Sequence, residues 1–275
     1  MNNRPIGVFD SGLGGLTAFK ELEKLLPKED IIYFGDTGRV PYGTKSQDTI
    51  RKYTAQIINF LKSHHVKAIL AACGTVSSVA GDIGYTSGIP FMDVLHPTAA
   101  SAVVASKKKK IGIIGTPTTI ASGSYQREIA AIDSSIEVVG QPCPMFVPLV
   151  ENGYISPQDE VTRLVAERSL ASVKAAEVDT LILGCTHFPI IAPIISQVMG
   201  DSVQLINSGK EAAHSLSKML KEKNLLKSNM TPASYHFFVS DTPQNFSAVA
   251  EIFLGHPVSG DTMQIKIEDY ENQLE

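Results

Sequence analysis

The chain has 275 residues, of which 43% are hydrophobic and 19% are charged, and its formal net charge at pH 7 is −4. This composition is typical of a globular protein that can bury a core, and the length fits one large or two modest domains. The small negative charge provides no basic surface for nucleic acid, and no apolar run approaches the roughly 18 residues that cross a bilayer. We therefore expect neither nucleic acid nor a membrane as a partner.

The first half of the chain alternates between predicted strands and predicted helices. Short apolar runs predict strands at residues 6–9, 31–35, 68–72 and 89–94, and helical periodicity predicts helices at residues 17–26 and 47–63. This order is typical of an α/β fold with a mostly parallel sheet. His96 and Pro97 are expected to break the chain after the fourth strand.

The second half repeats the order of the first. Strands are predicted at residues 111–114, 136–139, 180–183 and 203–206, with a helix at residues 158–176 before the third of them. A repeat of this length indicates an internal duplication with two similar domains. A helix at residues 210–223 and a final strand at residues 235–239 have no counterparts in the second half. We therefore assign residues 1–97 and 208–275 to the first domain and residues 98–207 to the second.

The three cysteines are widely spaced and form no Cys-x-x-Cys pair. An odd number of isolated thiols predicts no disulfide framework, and reduced thiols together with the lack of a basic-then-apolar leader predict a cytoplasmic protein. Cys185 and His187 lie too close together on a strand exit to form a spaced zinc motif, so no metal site is expected.

Cys73 and Cys185 each follow a buried strand, at the point where a helix is about to begin. Free cysteine often packs simply as a small hydrophobe, and Cys143, between two prolines, is interpreted in that way. Open α/β sheets, however, bind ligands outside the carboxyl ends of their strands. Two thiols in matching positions of two repeated halves therefore favour chemistry over packing.

Two thiols that face each other across a cleft can act as a pair of bases. One thiolate would remove a proton from a carbon atom while the other thiol donates a proton to the opposite face, which inverts the centre. Asp10 could exchange protons with Cys73, and Glu151 or His187 could do so with Cys185. The alternative for Asp10 is a simple helix cap.

Several segments resemble the glutamate racemases, within the aspartate/glutamate racemase family. They are Asp10-Ser-Gly-Leu-Gly-Gly15, Pro41-Tyr42-Gly43, Ala72-Cys73-Gly74-Thr75, Pro148-Leu-Val-Glu151, Gly184-Cys185-Thr186-His187 and Phe238-Val-Ser-Asp-Thr-Pro243. The resemblance implies two three-layer α/β domains related by a pseudo-twofold axis, with the active site at their interface. It also implies a homodimer that needs no cofactor and supplies D-glutamate for peptidoglycan synthesis.

The resemblance also implies roles for individual residues. Cys73 would deprotonate D-glutamate and Cys185 would deprotonate L-glutamate, with support from Asp10, Glu151 and His187. The substrate's carboxylates and amino group would be held by a larger set, which comprises Asp10, Ser11, Pro41, Tyr42, Gly43, Gly74, Thr75, Thr119, Thr186 and His187.

Gly74 departs from the family pattern, which has asparagine after the first cysteine. If the glycine only weakens recognition of the substrate, Gly74→Asn should improve the affinity for glutamate. Gly74 also leaves open a racemase of aspartate or another acidic substrate, and a binding or regulatory relative with weakened catalysis. A hydrolase that uses Cys185 and His187 is a further alternative, but it leaves Cys73 without a role.

Overall fold

A computed structural model describes residues 2–228 and 231–271 of the chain. The first half of the chain forms four strands and five helices. In chain order these are β1 (Ile6–Asp10), α1 (Leu16–Leu25), β2 (Ile31–Gly35), α2 (Gln47–Ser63), β3 (Ala68–Ala71), α3 (Gly74–Val79), α4 (Gly81–Tyr85), β4 (Phe91–Asp93) and α5 (Leu95–Ala105). The positions predicted for these strands and for the two long helices are confirmed to within about two residues at most ends.

The second half has a similar succession of elements and then returns to the first. It contains β5 (Lys110–Gly115), α6 (Pro117–Ser122), α7 (Ser124–Ile132), β6 (Glu137–Pro142), α8 (Phe146–Glu151), α9 (Glu160–Ala175), β7 (Thr180–Leu183), α10 (Ala192–Met199) and β8 (Gln204–Asn207). The remaining elements are α11 (Ser208–Glu222), β9 (Tyr235–Val239), α12 (Phe246–Leu254) and β10 (Asp261–Gln264).

The strands form two separate sheets in which every pair is parallel. The first sheet has the order β10-β9-β2-β1-β3-β4, and the second has the order β6-β5-β7-β8. The run β2-β1-β3-β4 therefore has the same topology as the whole second sheet. The duplication expected from the sequence is confirmed, and the protein consists of two parallel-sheet α/β domains.

The central strands are buried along their whole length because helices cover both faces of each sheet. Every residue of β1, β2, β3 and β7 is buried. Parallel strands covered on both sides are typically continuous apolar runs, which is why they were predictable. Aromatic residues complete the core beside the first sheet, where Phe19 packs edge-to-face on Tyr33 and tilted on Phe237.

The return of the chain is made by α11, which packs against α1 and α5. A Cβ on Gly209 would lie 3.2 Å from the Cβ of Ala18, so the two helices are in close contact at this point. β9 then pairs with β2 in the first sheet. This path supports the domain assignment made from the sequence, whose boundaries stay a prediction.

Two local predictions were wrong. His96 and Pro97 do not interrupt the secondary structure but lie in the first turn of α5. A proline is tolerated there because the N–H groups of the first turn make no hydrogen bonds within the helix. Asp93 Oδ1 accepts hydrogen bonds from the Leu95 and His96 N–H groups and so starts the helix.

The strand at residues 235–239 is not the final one, because β10 extends the sheet beyond it. Three of the four residues of β10 are exposed, so no apolar run marks it in the sequence. It is held by parallel pairing with β9.

In the described part of the chain, no helix is both long and apolar enough to cross a membrane.

Candidate active site between the two domains

A cavity of about 260 Å³ lies where the carboxyl ends of the two sheets meet. Both halves of the chain contribute to it. Its lining consists of residues 11–12, 40–44 and 73–75 from the first half, and residues 116–117, 143–144, 147–148, 151 and 184–187 from the second. Cys73 and Cys185 therefore line one cavity from opposite domains, as expected from the duplication.

The two cysteines are placed by equivalent backbone contacts. The N–H of Ala72, just before Cys73, donates to the Phe9 carbonyl at 2.8 Å, and the N–H of Gly184, just before Cys185, donates to the Ile114 carbonyl at the same distance. Each cysteine is thus the first residue after the last backbone hydrogen bond to the central strand of its sheet. The two thiols are 4% and 7% exposed, so they reach the cavity without facing bulk solvent.

On the first side, Cys73 lies at the N-cap of α3, and its thiol donates to Ser11 Oγ at 3.5 Å. Burial, together with the nearby Asp10, raises the pKa of Cys73 to about 12. At neutral pH this residue is therefore a protonated thiol.

Asp10 lies behind Cys73 and does not line the cavity. Its Oδ2 accepts the N–H of Gly12 at 2.9 Å, whereas its buried Oδ1 has no hydrogen-bond partner among the described residues. Burial raises the pKa of this carboxyl, which the charge of His187 opposes. The N-cap of α1 is Gly15, and no side chain makes the cap hydrogen bond of this helix.

On the second side, the Sγ of Cys185 lies 3.8 Å from Nδ1 of His187, and Nε2 of the same ring lies 3.0 Å from Glu151 Oε1. Burial lowers the pKa of His187, but the bonds to Cys185 and Glu151 outweigh it and raise the pKa to about 10. The ring is therefore protonated at neutral pH and places a cation beside the Sγ of Cys185.

Several hydroxyl groups line the cavity or connect the two domains beside it. Thr75 Oγ1 lies 3.1 Å from Thr116 Oγ1, and Thr118 Oγ1 donates to the Gly43 carbonyl at 2.8 Å. Thr17 of α1 donates to the Thr186 carbonyl at 3.1 Å. Short hydroxyls and backbone N–H groups at helix starts can bind carboxylates without arginine.

The lining residues include most of the set predicted from the sequence, namely Ser11, Pro41, Tyr42, Gly43, Cys73, Gly74, Thr75, Glu151, Cys185, Thr186 and His187. Thr119, which was also predicted, does not line the cavity. It is buried behind the wall, one turn into α6, and its hydroxyl lies 3.0 Å from Thr116 Oγ1. The hydroxyl that faces the cavity from this helix start belongs to Thr116.

Thr116 and Cys143 are among the lining residues that the sequence prediction missed, although the duplication contains the signal for both. Thr116 follows β5 as Ser11 follows β1, and Cys143 follows β6 as Asp36 follows β2. Cys143 was interpreted as structural, and it is buried, but it also lines the cavity. Burial, with a contribution from Cys185, raises the pKa of Cys143 to about 12.

Glycines allow the backbones of the two domains to touch beside the thiols. A Cβ on Gly74 would lie 2.2 Å from the carbonyl oxygen of Gly184, which is shorter than real contacts. A side chain at this position would press into the backbone of the other domain, so Gly74→Asn requires the two backbones to move apart. The improved affinity expected from the sequence stays a prediction.

No group of three or more histidine, cysteine or acidic side chains in the described ranges is arranged to hold a metal ion.

Comparison with known proteins places this geometry in a family. The family model of the Asp/Glu/hydantoin racemases matches residues 6–216. A glutamate racemase of Geobacter metallireducens is 42% identical over 96% of this chain and 97% of its own length. A glutamate racemase of Chlorobaculum tepidum is 44% identical over 92% of this chain and 93% of its own.

Solved structures agree with the sequence comparison. A glutamate racemase from Francisella tularensis, determined in complex with D-glutamate, superposes with a TM-score of 0.92 at 40% identity and covers 98% of this chain and 100% of its own. A Thermus thermophilus glutamate racemase in complex with β-chloro-D-alanine gives 0.87 at 38% identity, covering 98% of this chain and 100% of its own. With its two duplicated domains and its thiol-lined cavity between them, this chain belongs to the Asp/Glu/hydantoin racemase family.

Proposed function

We propose that the protein interconverts L- and D-glutamate by proton transfer at Cα, without a cofactor. The observation that carries the proposal is the pair of cysteines that line one cavity from two duplicated domains, each with its own ionisable partners. The relatives that match nearly the whole chain are glutamate racemases, and one of the matching structures binds D-glutamate.

In the L-to-D direction, Cys185 acts as the base. Its thiolate takes the Cα proton of L-glutamate, the Cα–H electron pair stays on the carbon, and the Cys73 thiol delivers its own proton to the opposite face. The reaction thus ends with a thiol at Cys185 and a thiolate at Cys73. The D-to-L direction starts from that state, with Cys73 as the base.

The remaining groups support the two thiols. His187, held by Glu151, stabilises a thiolate at Cys185, and Asp10 exchanges a proton with Cys73 as that residue changes state. Ser11, Thr75, Thr116, Thr186 and backbone groups of residues 41–43 and 74 bind the carboxylates and the amino group. The raised pKa of Asp10 suits a proton exchanger, because a group that stayed ionised could not return the proton.

The cellular role follows from the product. We infer that the protein is a cytoplasmic homodimer that supplies D-glutamate for peptidoglycan synthesis. The family resemblance supports the homodimer and the pathway, and the free cysteines support the reducing compartment. Light scattering coupled to size-exclusion chromatography measures the oligomeric state.

Proton NMR in deuterated water tests the reaction. Purified protein with no added cofactor is expected to remove the Cα–H signal of both L- and D-glutamate and to invert each enantiomer. Cys73→Ser and Cys185→Ser are the matched controls and are expected to invert neither. Loss of the Cα–H signal from aspartate but not from glutamate would support the alternative of an aspartate racemase. Loss from neither amino acid would contradict racemase activity.

A further inference from the structure

One wall of the cavity is a connection with little regular structure of its own. Residues 40–44 all line the cavity, and a single 3₁₀ turn, Tyr42–Thr44, is the only regular element among them. Thr118 binds the Gly43 carbonyl from the other domain, but that contact lies at the seam between the domains. Groups within the first domain must therefore fix the position of this wall.

Tyr42 is attached to the first domain through its hydroxyl. The hydroxyl donates to Asp36 Oδ2, and both side chains are buried. Burial and the Asp36 carboxylate raise the pKa of Tyr42 well above its usual range, so the phenol remains a hydrogen-bond donor. Tyr42 also belongs to the same buried cluster as Cys73, so its position affects the surroundings of the thiol.

Asp36 is in turn held by Arg39. The Nε of Arg39 donates to Oδ1 at 3.0 Å and to Oδ2 at 2.8 Å, and Nη2 lies 2.8 Å from Oδ2. The guanidinium lies 3.8 Å from the ring centre of Tyr53 and donates through Nη1 to Gln56 Oε1 at 2.5 Å. Burying a carboxyl group without a partner is strongly destabilising, and Arg39 supplies that partner for Asp36.

The last part of the chain completes the arrangement. Ser240 Oγ donates to Asp36 Oδ1 at 2.7 Å and accepts the N–H of Gly38 at 2.9 Å. Glu268 lies 3.7 Å from Arg39 Nη1. Contacts from three separate parts of the chain therefore meet at Asp36 and Arg39, one step behind the cavity wall.

We propose that Arg39 is a positioning residue for the racemase reaction: through Asp36 and the Tyr42 hydroxyl, it holds the wall formed by residues 40–44 against the substrate and the Cys73 thiol. This proposal rests on the function proposed above. Arg39 lies outside the set that lines the cavity, so its effect passes through Asp36 and Tyr42.

Arg39→Lys tests the proposal because lysine keeps the charge but loses the planar fork that contacts both carboxylate oxygens. We expect KM for both enantiomers of glutamate to rise about tenfold while kcat changes by less than about threefold. Arg51→Lys is the matched control. Arg51 also makes a bidentate pair with an aspartate, Asp82, at 2.6 and 2.7 Å, but this pair is exposed and lies outside the cavity. Its replacement should leave KM unchanged.

A double-mutant cycle separates positioning from general structural support. Tyr42→Phe removes only the hydroxyl that binds Asp36, and it should also raise KM. If Arg39 acts through that hydroxyl, the combined variant will be little worse than the worse single variant. Additive effects on KM, or a lower melting temperature of Arg39→Lys with unchanged KM, would overturn the positioning role.

A second readout does not depend on turnover. Loosening of the wall should expose the Cys73 thiol, so iodoacetamide should modify Cys73 about fivefold faster in Arg39→Lys than in the wild type or in Arg51→Lys, as measured by peptide mass spectrometry. An unchanged rate at Cys73 contradicts the positioning role even if the wild type proves inactive on glutamate. Failure of the wild type to convert glutamate contradicts only the proposed reaction.

Discussion

The two halves of the molecule share a topology but surround their thiols with opposite charges. Cys73 faces Ser11 and the buried carboxyl of Asp10, whereas Cys185 faces a protonated His187 that Glu151 orients. A carboxyl favours the thiol and an imidazolium favours the thiolate. We therefore expect the two thiols to differ in reactivity. Cys73 has a raised pKa, whereas an imidazolium lies beside Cys185, the base proposed for L-glutamate.

Substitution of each cysteine tests whether both halves are needed for inversion of glutamate. Replacing either thiol by a hydroxyl, in Cys73→Ser or Cys185→Ser, should lower kcat/KM by about 10³-fold or more, because serine is a far weaker acid. The double variant should be little worse than each single one, since either loss already stops inversion. Polarimetry of both enantiomers measures this. Substantial inversion by one single variant would mean that one half suffices.

Variants of Asp10 and His187 test whether each thiol has its own partner. We expect Asp10→Asn and His187→Asn each to lower kcat/KM by about 10²-fold. Since the enantiomers have equal free energies, kcat/KM must fall equally in both directions. A difference between the two variants must therefore be sought in the isotope effects on the two directions.

The primary deuterium isotope effect reports that difference. In His187→Asn, the effect on [2-²H]-L-glutamate should rise because abstraction by Cys185 becomes the slower step, and the effect on the D-enantiomer should fall. Asp10→Asn should show the reverse pattern. The same isotope pattern in both variants would contradict the assignment of one partner to each thiol.

A smaller effect tests the contact between the halves. Gly74→Ala should lower kcat/KM about tenfold, because the added Cβ would force the backbones of Gly74 and Gly184 apart and move the thiols. Gly81→Ala is the control, since the nearest atom to its Cβ would be 3.3 Å away. Steady-state kinetics and thermal melting distinguish the cases. Equal or better activity of Gly74→Ala would show that the halves tolerate separation.

The charge difference should also appear in thiol reactivity. At pH 7, without substrate, iodoacetamide should modify Cys185 about fivefold faster than Cys73, because only the first faces a cation. Peptide mass spectrometry measures both rates in one sample. Faster modification of Cys73 than of Cys185 would contradict the expected difference between the two thiols.

The smallest effect is on stability. The pKa of His187 in the folded state is raised to about 10 from an ordinary value of 6.5, so its charge contributes stability that is complete below pH 6.5 and is lost as the pH rises through 10. The melting temperature of the wild type should therefore exceed that of His187→Asn by a few degrees at pH 7, with a smaller difference at pH 10. A difference that grows with pH would contradict a protonated ring.

The sequence predicted the parts of the molecule that depend on local signals. The fully buried strands and α2 appear as apolar runs and helical periodicity. The positions of Cys73 and Cys185 followed from strand ends. β10 could not be predicted because backbone pairing holds it, without a buried face.

Other features depended on contacts between distant segments. The closeness of Gly74 and Gly184 exists only once both domains are packed together. Tertiary contacts of this kind leave no periodic trace in the chain.

The path of the chain also has a consequence for synthesis on the ribosome. The second sheet is complete once β8 has emerged, whereas the first sheet, begun at β1, must wait for β9 and β10 to be translated. The domain that starts later is therefore the first that can finish, since domains tend to fold as units during translation. Until then β2 is an unpaired edge of the first sheet, and such an edge can pair with another chain.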